Sequence, residues 1–438
     1  MDFGLYLFAL TRKFWLVFSD RYLNPPFIRF TTITIIIIGV LNLFVAFYTS
    51  AGGQNVYGSW SGGDYSCFYI AGKILNNNPS KLYDFRLQNE LLHSLLPKIS
   101  PTEQLPYVNP PFFAIIFKPL SCLPYMLSYF LWVLISVIIY ILAFKLFWKT
   151  LESMPPETAK LALLLALSFE PFFMENLFGG NSSVIGFFAF ALYLYFGYFK
   201  KDLLSGFSLG ILLYKPTFLI VILPMLLIAR RIKILLGFGI CSIIVIFVSV
   251  LTVGFDTCIE YMRFIFGVSA TALRSEEIFR TWKYIDVFSF SRLLFGTISP
   301  AGLILIGTAS FVPILFLLKL WWKKNSLNKS SQDLLTASAI TLTIIINMHF
   351  AIYDSVILVI SILLTVDVLY HNIITQKSVE LAPGFKALLL LIYISPWISQ
   401  HMARILGFQL FSLAIAILGI YQISLARTYS RITGTSSG

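Results

Sequence analysis

Long apolar runs separated by short polar segments occupy most of the chain. Runs of roughly 17–25 apolar residues are long enough to cross about 30 Å of hydrocarbon as a helix. Because the runs are continuous and lack the ten-residue alternating segments of a barrel, they predict membrane-spanning helices. We place the longer spans near residues 28–49, 123–147, 160–178, 181–199, 232–253, 300–321, 333–349, 351–370, 384–399 and 405–426.

One apolar run, residues 203–229, is interrupted by Lys215–Pro216. As a single span it would carry the basic residues at 230–233 to the exoplasmic side, against the positive-inside rule. Proline also breaks the helical hydrogen-bond ladder at this point. We therefore predict two short helices, 203–214 and 217–229, and an all-α integral membrane bundle of about twelve helices.

Composition agrees with this pattern. Of 438 residues, 58% are hydrophobic and 12% are charged, and the mean hydropathy of +0.83 excludes a soluble globular protein. The formal net charge of +12 comes largely from lysines and arginines in short connections that fall on one side of the predicted bundle. The positive-inside rule accounts for these residues, so no nucleic-acid partner is expected. Low cysteine usage and an Ile/Lys/Asn-rich composition favour a bacterial inner membrane.

This topology divides the chain into three parts. Residues 1–27 form a cytoplasmic interfacial segment without a signal-peptide cleavage site. Residues 28–426 form the transmembrane domain, whose two long polar insertions, 50–122 and 254–299, both face the exoplasm. Residues 427–438 are predicted to form a cytoplasmic tail, whose end, GTSSG, resembles a linker scar.

Polar residues far apart in sequence converge on the exoplasmic boundary of this topology. A carboxylate could take the proton of an acceptor hydroxyl as general base, and cations could hold a departing phosphate. Such a set suits transfer of a group from a lipid phosphate. The candidate residues are Asp64, Tyr107, Asn109, Glu175, Asn181, Lys215, Arg274, Arg280, Lys283, His349, Tyr353 and Asp354.

The segments that carry these residues resemble glycosyltransferase family 87. The resemblance rests on Asp64 with its Tyr-containing helix, GKILNNNPSKLYD, YVNPPFFAIIFKPLSCLP, GGNSS and GFSLGILLYKPTFLIVILP, and more weakly on HFAIYD. It covers about residues 60–230. The family comprises GT-C-fold mannosyltransferases that use polyprenyl-phosphate mannose as donor.

The resemblance implies an inverting transfer, with mannose as the expected sugar, on the exoplasmic face. The family's proposed base corresponds to Asp64, and a catalytic histidine late in the chain corresponds to His349. One departure concerns the sugar: where the family pattern has Gly-Gln before the asparagine, this chain has Gly179 and Gly180 before Asn181.

The remaining candidates divide into two groups. Donor-phosphate binding is assigned to Lys215, Arg274, Arg280 and Lys283. Sugar or acceptor binding is assigned to Tyr107, Asn109, Glu175, Asn181, Tyr353 and Asp354.

Structural alternatives stand beside several of these roles. Asp64 suits an N-cap, and Lys215 could extend to the interface as membrane lysines do. His349 could be a hydrogen-bonded residue at a helix end, and Asp354 could orient its ring. Tyr107 could serve only to shape its loop.

Other functional classes stay open. A secondary transporter or flippase would fit about twelve helices with a broken pair, and a non-catalytic scaffold would tolerate loss of Asp64. The amphipathic patterns at 65–76 and 86–96 favour an enzyme's exoplasmic cap. The acceptor, a glycolipid, a glycan or a protein, is not specified.

No cofactor is expected. The sequence contains no DxD, HExxH or P-loop element, and its four cysteines lack metal or redox spacing. Divalent-metal dependence and a disulfide between Cys67 and Cys258 are left open.

Overall fold

A computed structural model describes residues 23–50, 54–56, 60–100, 105–272, 281–296, 299–322, 327–376 and 382–432. Within these ranges the regular structure is helical, which confirms the predicted all-α fold. The α-helices of more than four residues are α1 (Pro25–Tyr48), α2 (Tyr65–Asn77), α3 (Phe85–Leu95), α4 (Tyr125–Trp148), α5 (Ala159–Leu167), α6 (Ser183–Tyr198), α7 (Asp202–Gly210), α8 (Ile222–Ile228), α9 (Ile232–Val253), α10 (Phe255–Ala272), α11 (Val287–Phe295), α12 (Pro300–Trp322), α13 (Lys329–Ile345), α14 (Leu358–Gln376), α15 (Pro383–Leu406) and α16 (Leu410–Ile432).

Six segments among the described helices are long and apolar enough to cross a membrane. They are Pro25–Tyr48, Tyr125–Trp148, Ile232–Val253, Pro300–Trp322, Ile352–Ile374 and Leu410–Ser430. The protein is therefore a multi-pass membrane protein. Shorter apolar helices, Ser183–Tyr198, Asp202–Tyr214 and Pro216–Ile228, lie among them and include the predicted broken pair on either side of Lys215.

One predicted span differs from the structure. Residues 160–178 do not form a straight helix, because α5 ends at Leu167 and a π-helix, Pro171–Phe178, follows at an angle of 50°. Pro171 occupies the first turn of the second helix, where its missing N–H is tolerated. The bend places the end of the π-helix beside the first insertion, where Asp64 N–H donates a hydrogen bond to Gly179 O at 2.9 Å.

The described parts of the two insertions meet at one end of the bundle, which we call the loop end. The predicted amphipathic segments are α2 and α3, and α2 is largely buried. The first insertion meets the second where Thr257 Oγ1 donates to Ser80 O at 3.1 Å and where the rings of Tyr83 and Tyr261 lie 5.3 Å apart. Residues from distant parts of the chain therefore share one surface.

Candidate functional site

Two glycine pairs, Gly62–Gly63 and Gly179–Gly180, meet backbone to backbone at the loop end. Gly62, Gly63 and Gly180 have positive φ values of 84°, 40° and 65°, which glycine adopts at little cost. A Cβ on Gly180 would lie 2.4 Å from Gly62 O, and one on Gly63 would lie 2.7 Å from Gly179 O. This close approach holds Asp64 against the end of the π-helix.

Asp64 is partly exposed at the N-terminus of α2, in the N-cap position. Its side chain makes no capping hydrogen bond to that helix, and its backbone is in the αR region rather than the extended region typical of caps. The charge of Asp64 instead interacts electrostatically with Glu175 and Tyr353, which lie on two other segments of the chain. The carboxylate of Asp64 therefore belongs to a polar cluster at the loop end.

Glu175 lies on the π-helix within this cluster. Its Oε1 accepts a hydrogen bond from Gln400 Nε2 of α15, and its main-chain oxygen accepts one from Asn181 Nδ2 at 2.9 Å. The charges of Asp64 and Lys283 both act on its carboxyl group. Gln400 was not selected from the sequence, because an isolated glutamine near a helix end carries no pattern that points to Glu175.

Lys215 and Asp354 form an ion pair. The Asp354 side chain is 1% exposed and that of Lys215 is 26% exposed. Ser183 Oγ donates to Asp354 Oδ1 at 2.8 Å, while Lys215 Nζ donates to Oδ2 and lies 4.6 Å from the centre of the Tyr353 ring. Both oxygens of Asp354 thus have protein partners, and the partly exposed lysine carries the pair's accessible charge.

Two asparagines hold the broken segment around Lys215. Asn109 Nδ2 donates to Tyr214 O at 3.1 Å, and Asn347 Nδ2 donates to Thr217 O at 2.9 Å. The carbonyl groups next to a helix break lack their usual intrahelical donors. These side chains supply such donors and join the first insertion and the end of α13 to the lysine turn.

His349 lies in the turn between α13 and the 3₁₀ segment Ile352–Ile357, with a positive φ of 58°. Its ring contacts those of Tyr284 and Phe288 edge to face, at 5.2 Å and 5.6 Å between centres. Burial, together with the positive charge of Arg292, lowers the pKa of His349 from 6.5 to about 4. The imidazole is therefore neutral near pH 7 and can exchange hydrogen bonds without carrying charge.

Asp286 connects the His349 turn to α11. Its carboxylate accepts from Ser289 N at 2.8 Å, from Ser289 Oγ at 3.0 Å and from Phe350 N at 2.7 Å. Burial raises the pKa of Asp286 to about 6, although these hydrogen bonds oppose the shift. Asp286 caps α11 and positions the residue that follows His349.

Three predicted ligands have local structural roles. Tyr107 is fully buried, and its hydroxyl donates to Pro110 O at 2.9 Å. Asn109 supports the lysine turn, and Asn181 is 4% exposed with its main-chain oxygen 3.3 Å from Trp132 Nε1. These positions favour loop shape over substrate contact.

The remaining predicted cations belong to the second insertion. Lys283 follows Trp282, whose ring lies 4.7 Å from the Arg404 guanidinium and whose carbonyl accepts from Gln409 Nε2 at 3.0 Å. The end of α15 and the start of α16 thereby hold the Lys283 turn. Arg274 and Arg280 lie outside the described residues.

The described part of the chain contains no group of three His, Cys, Asp or Glu side chains that could hold a metal ion. The four cysteines are free, so Cys67 and Cys258 do not form the disulfide that the sequence left open.

Comparison with known protein families gives a match. The model of a family described as glycosyltransferase family 87 matches residues 107–346, more than half of the chain. No curated protein matches the chain, and no solved structure does. The matched region includes Glu175, Lys215 and Lys283 and ends shortly before His349.

Proposed function

The chain belongs to glycosyltransferase family 87 and is a membrane glycosyltransferase, and from this premise we propose that it transfers a sugar, mannose, from a polyprenyl-phosphate donor to an acceptor hydroxyl. We place the reaction at the loop end and that end on the exoplasmic face. The observation that carries the proposal is the convergence of the Asp64 carboxylate with Glu175, Lys283, Tyr353 and the Lys215–Asp354 pair.

Asp64 is the proposed general base. Its carboxylate takes the proton of the acceptor hydroxyl, whose oxygen forms a bond to the anomeric carbon of the sugar. The bond from that carbon to the phosphate oxygen breaks, and the phosphate leaves with the electron pair. Attack opposite to the leaving group inverts the anomeric configuration, which agrees with a base that has no covalent role.

Lys215 and Lys283 are the proposed phosphate ligands, together with Arg274 and Arg280. A cation next to the phosphate stabilises the charge that develops as the sugar departs. Asp354 supports this role indirectly, because both of its oxygens are engaged by Ser183 and Lys215. We therefore assign Asp354 to positioning the lysine rather than to binding the sugar.

His349 and Glu175 are the proposed hydrogen-bonding partners of the sugars. A neutral imidazole can donate to one hydroxyl and accept from another. Glu175 is held by Gln400 near Asp64, where a carboxylate can accept hydrogen bonds from sugar hydroxyls. Tyr353 lies beside Lys215 and supplies an aromatic face at the same place.

The test is transfer of radiolabelled sugar from synthetic polyprenyl-phosphate mannose to a membrane lipid extract. We expect Asp64→Asn to lower the rate by about 10²–10⁴-fold, the usual contribution of a general base. Asp84→Asn is the matched control, since Asp84 lies in the same insertion but caps α3 through Arg86 N and Leu87 N, and asparagine caps equally well.

Equal activity of wild type, Asp64→Asn and Asp84→Asn would refute the assignment of the base. If wild type transferred glucose or another sugar from its polyprenyl phosphate but not mannose, the donor class would stand and the sugar would be wrong.

A further inference from the structure

A large apolar groove lies on the membrane-spanning part of the bundle. It has a volume of about 700 Å³ and runs between α1, α5, α14 and α15. Its walls include Ile35, Ala162, Phe169, Ile362 and Leu389. The volume falls within the range of roughly 300–1,000 Å³ typical of small-molecule sites.

The hydroxyl groups that line the groove are engaged by the protein itself. Thr31, Thr32 and Thr158 donate to carbonyl oxygens three or four residues earlier at 2.9, 2.7 and 2.6 Å. The Tyr393 hydroxyl shares a 2.7 Å hydrogen bond with Ser168 Oγ. With these groups satisfied, the walls offer an occupant little besides hydrocarbon surface, and a hydrocarbon chain is the complementary ligand.

Lys386 is the one charged side chain among the described residues that line the groove. It lies in the first turn of α15, close to the N-terminus of that helix. A lysine there can bury its aliphatic stem against apolar walls and keep its ammonium at the membrane interface. The groove therefore combines a hydrocarbon channel with a cation at one boundary, which is the complement of an anionic lipid.

The distance to the polar cluster argues against a substrate in this position. Lys386 and Gln400 are fourteen residues apart on α15, which is about 21 Å at roughly 1.5 Å per residue. Gln400 contacts Glu175 in the cluster. A phosphate at Lys386 therefore lies far from Asp64 and cannot be the phosphate that leaves the sugar.

We propose that this groove binds an anionic glycerophospholipid that is not a substrate, with an acyl chain between α1, α5, α14 and α15 and its phosphate at Lys386. The bound lipid fills the gap between the N-terminal half of α1 and the rest of the bundle. Further along α1, at Gly39, the helix packs directly against the bundle, since a Cβ on Gly39 would overlap the Phe173 ring.

The experiment measures lipid retention without any sugar donor. The full chain is reconstituted into nanodiscs of phosphatidylcholine and phosphatidylglycerol, extracted into detergent, and its bound lipids are counted by native mass spectrometry. We expect Lys386→Gln to lower phosphatidylglycerol retention about fivefold, the effect of one lysine at an anionic lipid. Lys160→Gln is the matched control, because Lys160 is exposed on α5 and does not line the groove.

A second variant tests the hydrocarbon part. Ala162→Phe places a ring in the groove and should lower retention of both lipids, whereas Lys386→Gln should lower only the anionic one. Equal retention in wild type, Lys386→Gln and Lys160→Gln would overturn the proposal. Displacement of the retained phosphatidylglycerol by a polyprenyl phosphate would also overturn it, because the groove would then belong to the donor. Neither result depends on transfer activity.

Discussion

Replacing Lys215 by methionine separates a structural role from a substrate role. The change keeps the length of the side chain but removes the charge that neutralises Asp354, whose side chain is 1% exposed. Only the Ser183 hydrogen bond to the Asp354 carboxylate would then remain among the side-chain partners described above. Removing one partner of a buried ion pair typically costs about 3–5 kcal/mol, so we expect Lys215→Met to lose about that much stability.

The double variant Lys215→Met/Asp354→Asn should recover most of that loss, because no buried charge is left and the asparagine oxygen can still accept from Ser183. If Lys215 binds the donor phosphate, the double variant should remain inactive despite its stability. Unfolding in mixed micelles and the transfer assay measure the two effects. Lys73→Met is the control, since Lys73 is exposed on α2 and its loss should change stability by less than about 0.5 kcal/mol.

Two outcomes would refute this reasoning. A Lys215→Met variant as stable as Lys73→Met would show that the ion pair does not neutralise a buried charge. Full transfer by the double variant would show that Lys215 serves the fold alone.

Three further predictions concern the backbone and pH. Gly180→Ala should lower the free energy of unfolding by at least about 1–2 kcal/mol, the cost of an L-residue in the left-handed region. It should also lower activity, because the shift moves Asp64. Gly239→Ala is the control and should do neither, since a Cβ at this position has nothing within 4 Å. Because the pKa of His349 falls from 6.5 to about 4 on folding, the unfolded chain binds this proton first. The contribution of His349 to stability is therefore present above pH 6.5 and lost as the pH falls towards 4, and thermal unfolding of His349→Asn should show that this contribution is missing. The pKa of Asp286 moves the other way, from 3.8 to about 6, so its contribution is lost as the pH rises through that window, and Asp286→Asn should unmask the rise due to His349. Parallel pH curves for wild type and both variants would contradict the two assignments.

The sequence predicted the helices well, because long apolar runs have few alternatives in a membrane. The broken pair around Lys215 was also predicted, since Pro216 and the orientation rule pointed to the same break. The bend before Pro171 was missed although Ser168, Glu170 and Pro171 interrupt the apolar run 160–178. Proline there was compatible with both a kinked span and two helices.

The candidate site was predicted unevenly. The convergence of Asp64, Glu175, Lys215 and Asp354 followed from topology, because each lies near the same predicted boundary. The ion pair of Asp354 and the contact of Gln400 with Glu175 did not follow, because they depend on which helices are neighbours in space. Sequence order alone leaves those neighbours undetermined.

This chain has Gly180 where the family pattern has glutamine, and the close contact of Gly180 with Gly62 explains why. The Cβ of a glutamine at this position would lie only 2.4 Å from Gly62 O, and the residue would have to adopt a φ of 65°. The Gly62–Gly63 turn would have to move away, and Asp64, which follows it, would move too. Glycine at 180 and the close position of Asp64 are therefore one structural feature. If the family's glutamine contacts the sugar, this chain must obtain that contact from another residue. Our candidate is Glu175 of the preceding π-helix, which is held by Gln400 beside Asp64.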